Sequence, residues 1–350
     1  MRGNSARLIV IAAGGTAGHI FPAFALSDEL AARGHPVVLM TDARTINRAG
    51  GSFTERLSIQ GAGIAGRGFS RAAAAIAALA RGTLQARREL ARMKPAALVG
   101  FGGYPAVAPV LAARSLRIPA ILHEQNAVLG RANRLLARFA SAIALSFATT
   151  KHAPASAIVT GNPVRAEITP RPYAAPEDTL RILVLGGSLG ARVMSEAVPQ
   201  ALVALSRPVT VVQQCREEDL DRVKSVYAAA GIQADLATFI ADVPARLAAS
   251  HLVIARAGAS TVAELTVAGR PAILIPLPNA IDGHQLANAE AIGATVLQEP
   301  VTPDALKAAI TELLPRLPEA AAAIATHGRP HAAATLADLT EHYIAGKVSL

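Results

Sequence analysis

Leu8-Ile9-Val10-Ile11-Ala12-Ala13-Gly14-Gly15-Thr16-Ala17-Gly18-His19 sets the pattern for the whole chain: a short apolar run, a glycine turn, then residues at helical spacing. Phe101-Gly102-Gly103-Tyr104-Pro105 and Gly186-Gly187-Ser188-Leu189-Gly190-Ala191 repeat it. An apolar run closed by glycines and followed by a helix reads as a parallel strand feeding its crossover. Glycine lets the backbone bend sharply and brings its N–H groups close to a ligand. The first turn of the helix adds unpaired donors and partial positive charge. Each turn is therefore a candidate anion cradle, with diphosphate the natural guest. Two lie near the start of the chain and one lies past its middle, so two similar α/β units facing across a cleft are expected.

The rest of the chain fits that frame. Apolar runs alternate with helical stretches, giving about five expected parallel strands in each half. These are Arg7 to Ala13, Pro36 to Met40, Ala96 to Gly100, Ala120 to His123 and Ala142 to Leu145, then Leu180 to Leu185, Val209 to Gln213, Leu236 to Ile240, Leu252 to Ala255 and Ala272 to Ile275. Turn formers cluster at Gly161-Asn162-Pro163 and from Thr169 to Pro176, which places a linker there. The expected domains are 1–163 and 164–350, with a last helix at about 331–344 returning to the first.

Composition narrows the class. With 52% hydrophobic and 17% charged residues, the 350-residue chain is long enough for two ordinary cores. Its single cysteine, Cys215, excludes an intrachain disulfide, and no Cys/His cluster announces a metal, so a reducing cytoplasm and no metal are expected. The run before Gly14 is too short for an export signal. The uncharged stretch 95–113 is interrupted by Pro95, Pro105, Pro109, Gly100, Gly102 and Gly103, so it reads as strand, loop and helix rather than a membrane span.

The net charge of +9 is unevenly shared: residues 1–163 carry 19 Lys and Arg against 6 acids, residues 164–350 carry 15 against 19. Aromatics are 3% and no nucleic-acid signature is present, so an anionic membrane surface is the expected partner of the first half, not nucleic acid. Residues 64–94 supply the surface: Arg67, Arg71, Arg81, Arg87, Arg88, Arg92 and Lys94 against Glu89 alone, with Ile76, Leu79 and Leu84 interleaved. The plainer reading is an alanine-rich helix with a solvated arginine face.

Several polar residues are candidates for chemistry. The first turn reads GGxxG, not GxGxxG, which weakens a nicotinamide reading. His19, at a helix start beside glycines, is a candidate to accept a proton from a substrate hydroxyl, or else a turn histidine bonded to backbone. His123-Glu124-Gln125-Asn126 ends an apolar strand, where open α/β sheets bind ligands. Glu124 is a second catalytic candidate, or a structural partner of Arg131, Arg134 or Arg138. In the second half, Arg256-Ala257-Gly258-Ala259-Ser260-Thr261-Val262-Ala263-Glu264 repeats the strand, small turn and helix logic. Glu264 is placed either to hold both hydroxyls of a ribose or to close a capping box with Ser260 or Thr261. Asp282, His284, Gln285 and Asn288 gather donors and acceptors suited to sugar hydroxyls.

Taken together, GGTAGHIFPA, FGGYPAVAP, HEQNAVLGRANR, GNPVR, LGGSLGAR, ARAGASTVAEL and PLPNAIDGHQLANA resemble the MurG family of bacterial peptidoglycan glycosyltransferases, in order from about residue 7 to residue 290. The resemblance implies a GT-B fold, two Rossmann-like parallel-sheet domains. It implies an inverting transfer of N-acetylglucosamine from UDP-N-acetylglucosamine to undecaprenyl-diphosphate-linked muramyl pentapeptide (lipid I), giving lipid II, with no cofactor. It implies a peripheral location at the cytoplasmic face of the inner membrane and dealings with other cell-wall and division proteins. Thr16, Ala17, Gly18, Asn126, Arg165, Ser188, Ile240, the run Ala259 to Glu264 and Gln285 then fall at the nucleotide sugar, with Glu264 on the ribose and the Ile240 backbone on uracil. His19 falls at the base or acceptor position, and Gly14, Gly15, Gly102, Gly103 and Tyr104 on the acceptor's diphosphate side. Ala17 stands where many relatives have glycine, and Ile281 to His284 replace a more polar stretch.

Overall fold

The computed structural model describes residues 6–60, 69–187 and 190–346. The chain forms two compact units, Met1–Arg165 with His331–Leu350, and Ala166–Pro330.

Unit 1 runs β1 (Ile9–Ala12), α1 (Ala17–Ala32), β2 (Val37–Thr41), β3 (Glu55–Ser58), α2 (Phe69–Met93), β4 (Ala97–Gly100), α3 (Gly103–Ser115), β5 (Ala120–Glu124), α4 (Arg131–Leu136), β6 (Ala142–Leu145) and β7 (Ile158–Val159). Unit 2 runs β8 (Leu180–Leu185), α5 (Arg192–Val203), β9 (Val209–Gln214), α6 (Leu220–Ala229), β10 (Gln233–Ala237), α7 (Val243–Ala249), β11 (Leu252–Ala255) and α8 (Ala259–Ala268). It closes with β12 (Ala272–Leu274), α9 (His284–Ala291), β13 (Thr295–Val296), α10 (Pro303–Leu313) and α11 (Leu317–Ala325), after which α12 (Ala332–Ile344) belongs to unit 1.

Each unit holds one parallel sheet, ordered β3-β2-β1-β4-β5-β6-β7 and β10-β9-β8-β11-β12-β13. The order reverses between β1 and β4, and again between β8 and β11. There the registers Ala12↔Gly100 and Leu185↔Ala255 set two strand ends side by side. Ligands of open parallel sheets bind at such reversals, beyond the strand C-termini.

The first strand is apolar throughout because both faces are covered. Ile9, Ile11 and Ala13 pack with Ile20, Leu26 and Leu30 of α1, whereas Val10 and Ala12 pack with Leu90 of α2 and Ala106 and Val110 of α3. In α2 the inner side presents Gly82, Ala86 and Leu90, and a Cβ at Gly82 would fall 1.9 Å from the Gln60 carbonyl oxygen. α12 covers the α1 face with Leu336 and Ala337, and Arg33 ties it down through Asp338 at 2.6 Å, Glu341 at 3.2 Å and the Ala334 carbonyl at 3.1 Å.

The reading of about five strands per half undercounts: among the described residues the sheets have seven and six strands. The additions, β3, β7 and β13, are short and partly exposed, so they lack the apolar run that marks a doubly covered strand. The strand expected at Leu236 to Ile240 is instead Gln233–Ala237, since this edge strand alternates polar and apolar residues. Ile240 lies in the loop after it.

Leu336 is fully buried, so Leu336→Ala should cost unit 1 about 2–5 kcal/mol. Urea unfolding followed by circular dichroism measures this; a loss below about 1 kcal/mol would show that α12 is not part of that core.

Candidate active site

In unit 1, the neighbouring ends of β1 and β4 carry the first two glycine turns. Thr16 is the N-cap of α1 and Gly102 that of α3, and neither helix receives a side-chain cap. The backbone of Gly103 has φ +68°, and a Cβ there would lie 3.2 Å from His19 Cδ2 and 3.4 Å from Nε2. The glycine thus keeps this edge of the imidazole clear of a side chain while the turn passes close to it. Tyr104 is about half exposed in the first turn of α3. Arg165 reaches the same region, its guanidinium carbon 5.8 Å from the ring centre of Phe21, two residues beyond His19. Ala17 opens α1 and Gly18 follows it.

In the HEQN cluster at the end of β5, His123, Glu124 and Gln125 are buried and Asn126 is half-buried. Glu124 Oε1 accepts from the Asn126 backbone N–H at 3.0 Å and from Asn126 Nδ2 at 3.1 Å. Oε2 accepts from Gly130 N–H at 2.8 Å and Asn133 Nδ2 at 2.9 Å. This corrects the expected arginine pairing of Glu124. Its hydrogen-bond partners are amides rather than Arg131, Arg134 or Arg138, and a carboxylate with both oxygens engaged in this way clamps the 125–133 loop.

His123 is fully buried, and burial pushes its pKa down to about 4, so it is neutral near pH 7. Its Nε2 donates to the Gly161 carbonyl at 2.9 Å. Gln125 Nε2 lies 3.0 Å from His123 Nδ1 and 3.0 Å from the His123 carbonyl oxygen, and Gln125 Oε1 lies 2.8 Å from His19 Nδ1. Sequence reading singled out His19 and the HEQN cluster separately. Their link spans 106 residues and depends on how β5 and α1 are placed, so no local pattern announces it.

In unit 2 the ends of β8 and β11 lie together in the same way. A Cβ on Gly186 would come 2.6 Å from the Ala191 nitrogen, so the turn into α5 closes only on glycine. Ser188 lies outside the described residues. α8 starts from Gly258, which has no side chain to cap with, and Ser260 and Thr261 stand inside the first turn. The capping box considered for Glu264 is therefore not formed. Ser260 Oγ is buried with no hydrogen-bond partner, and Glu264 is 8% exposed. Asn288 Nδ2 donates to the Ala257 carbonyl at 3.0 Å, fixing the turn before α8. Gln285 Oε1 accepts from Leu277 N–H at 2.9 Å, which leaves its amide protons for an acceptor group. Ile240 is buried beside the exposed Phe239. Among the described residues, no three His, Cys, Asp or Glu side chains gather as a metal ion would require.

The outer side of α2 shows Arg81, Arg87 and Arg88 with Ile76 69% and Leu84 57% exposed. Leu79, grouped with them from sequence, packs partly into the unit 1 core because it lies on the inner side of the helix. Arg67 lies outside the described residues; Arg71 lies on α2. No helix among the described residues is long and apolar enough to cross a membrane.

Two glycine-turned parallel sheets with these loops at their reversals define a nucleotide-sugar transferase scaffold of the GT-B class. The glycosyltransferase family 28 N-terminal domain matches residues 9–145 and its C-terminal domain matches residues 181–339. The chain belongs to glycosyltransferase family 28. A protein of Granulibacter bethesdensis is 52% identical over 97% of this chain and 94% of its own length. One of Gluconobacter oxydans is 49% identical over 96% and 98%. Both bear the name UDP-N-acetylglucosamine--N-acetylmuramyl-(pentapeptide) pyrophosphoryl-undecaprenol N-acetylglucosamine transferase. The crystal structure of Acinetobacter baumannii MurG matches with a TM-score of 0.79 at 31% identity, covering 96% of this chain and 99% of that one.

The neutral, buried His123 carries a pH signature. With a folded pKa of about 4 against about 6.5 unfolded, the unfolded chain binds more protons between these values. The full contribution is present above pH 6.5 and is lost as pH falls toward 4, amounting to about 3 kcal/mol. Buried His251 in unit 2, also lowered to about 4 by burial and by Arg181, Arg207 and Arg270, acts in the same direction. Urea midpoints measured from pH 7.5 to 4.5 should fall, and His123→Phe should reduce the slope. An identical slope in the variant would show that His123 is not held neutral.

Proposed function

We propose that this chain transfers N-acetylglucosamine from UDP-N-acetylglucosamine to the muramyl sugar of undecaprenyl-diphosphate-linked pentapeptide, lipid I, producing lipid II for peptidoglycan with inversion at the anomeric carbon. What carries the reading is near-full-length identity of about half to relatives named for that transfer.

The site residues supply a consistent chemistry. Unit 2 takes the donor: the first turn of α8 and the Ser260 hydroxyl meet the diphosphate, Glu264 the ribose, the Ile240 backbone the uracil, and the Gln285 amide a sugar hydroxyl. Ser188 is assigned to the diphosphate through the GGSLG turn, and Thr16, Ala17, Gly18, Asn126 and Arg165 to the donor from unit 1. Departure of UDP leaves growing negative charge on the diphosphate. Backbone N–H groups at helix starts and the Arg165 guanidinium stabilise that charge more in the transition state than in the ground state.

His19 acts as the base. Its Nε2 takes the proton from the acceptor hydroxyl while the acceptor oxygen bonds to the anomeric carbon, and UDP leaves with the electron pair of the broken bond. The glycine turns at Gly14-Gly15 and Gly102-Gly103, with Tyr104, receive the lipid diphosphate. The protein rests peripherally on the cytoplasmic leaflet through the outer side of α2, where Ile76 and Leu84 enter the interface and Arg81, Arg87 and Arg88 meet anionic headgroups.

Radiolabelled UDP-N-acetylglucosamine should yield a disaccharide product with a lipid I analogue. His19→Ala should lower turnover roughly 10²–10⁴-fold while UDP binding is kept. Absence of transfer to the lipid-linked acceptor would defeat the assignment, and binding without turnover would identify a nucleotide-sugar binder. Replacing Arg81, Arg87 and Arg88 together by alanine should weaken binding to phosphatidylglycerol vesicles at least about tenfold at low salt, at about 1 kcal/mol per arginine. Unchanged binding would remove α2 as the membrane face.

A further inference from the structure

We infer that Gln125 is a positioning residue that locks His19 in the Nδ1–H tautomer, so that its Nε2 lone pair is the proton acceptor beside the Gly102-Gly103 turn. The inference rests on the proposed role of His19 as base, and extends it to the residues that make the base competent.

The proton positions follow from two backbone carbonyls, which can only accept. The Gly161 carbonyl, 2.9 Å from His123 Nε2, requires a proton on that nitrogen. His123 is neutral, so its Nδ1 carries a lone pair and accepts from Gln125 Nε2 at 3.0 Å. The second carbonyl, that of His123 itself, takes the other Gln125 amide proton at 3.0 Å. Two acceptors thus fix which end of the Gln125 amide is nitrogen. Its Oε1 must then face His19 Nδ1 at 2.8 Å, and an amide oxygen accepts only. His19 Nδ1 carries the proton, and neutral His19 has its lone pair on Nε2.

The other edge of the ring completes the case. Among the described residues His19 Nε2 has no hydrogen-bond partner, and it lies against Gly103, where any side chain would meet it at 3.4 Å. The lone pair is therefore presented at the turn and not spent internally. Gln125 is 1% exposed and His123 fully buried, so the amide that makes the link is itself held out of water. When Nε2 accepts the hydroxyl proton, Nδ1–H remains bonded to Gln125 and the positive charge stays on the imidazolium. An amide serves here where a carboxylate would favour imidazolium before the reaction begins. The GNP turn, the HEQN cluster and the first glycine turn become one device, running Gly161, His123, Gln125, His19.

The test reads the tautomer directly. Long-range ¹H–¹⁵N correlation on the full chain labelled at histidine nitrogen, with His19→Asn used for assignment, should show the neutral His19 ring protonated at Nδ1 and bare at Nε2. Gln125→Met should give a mixture of tautomers. It should also lower kcat at least about tenfold, with KM for UDP-N-acetylglucosamine within about twofold of the wild type. His123→Phe, which keeps the backbone carbonyl lock, should have a smaller effect on both. A wild-type His19 protonated at Nε2, or a folded Gln125→Met protein with unaltered tautomer and kcat, would overturn the inference. The nitrogen spectrum needs no turnover, so failure of the base reading is seen separately, as full activity in His19→Ala.

Discussion

A parallel sheet sends every strand out at the same edge, and the helix after each strand must choose a face. At β1 and β4 the choices differ: α1 lies on one face and α3 on the other, although Ala12 and Gly100 are register partners. Two helix starts therefore open side by side with no chain crossing between them, and backbone N–H groups point outward from both. The same divergence at β8 and β11 gives unit 2 its helix starts at α5 and α8. The glycine turns assigned to the two diphosphates depend on those two reversals. Glycines serve the turns that open there, since a Cβ at Gly186 would meet the Ala191 nitrogen at 2.6 Å and one at Gly103 would meet His19 Cδ2 at 3.2 Å.

This constraint also explains what could be read from sequence. Strands buried on both faces, such as Ile9–Ala12 and Leu252–Ala255, announce themselves by unbroken apolar runs, and the glycine turns mark where they end. Edge strands do not: Glu55–Ser58 and Gln233–Ala237 satisfy one neighbour and water, so their composition is that of a loop. The polar site residues were legible as residues but not as partners. Glu124 sits in a strand end that suits catalysis, and only the fold of the 125–133 loop around it shows that its oxygens are already engaged. Leu79 and Leu84 read alike in an amphipathic helix, and the packing of α2 on α3 separates them.

Buried hydrogen-bond chains are usually ambiguous because imidazoles and amides can be turned over without changing shape. Here the ambiguity is removed at its source, since the chain ends on carbonyl oxygens that belong to the backbone and cannot reverse their role. Burial adds to the lock by keeping His123 neutral, so the one titration that would break the direction of the chain lies well below neutral pH.

The return of α12 to unit 1 has a consequence for biosynthesis. Unit 2 is contiguous and its core is complete once residue 330 has left the ribosome, whereas unit 1 begins first and lacks Leu336 and Leu339 until the chain is nearly finished. The order of completion is thus the reverse of the order of synthesis. Domains that fold as they emerge usually close from the N-terminus onward. In this protein unit 1, which holds His19 and the α2 arginines, is the last to be sealed, so an interrupted chain leaves the face of α1 that α12 covers open to solvent.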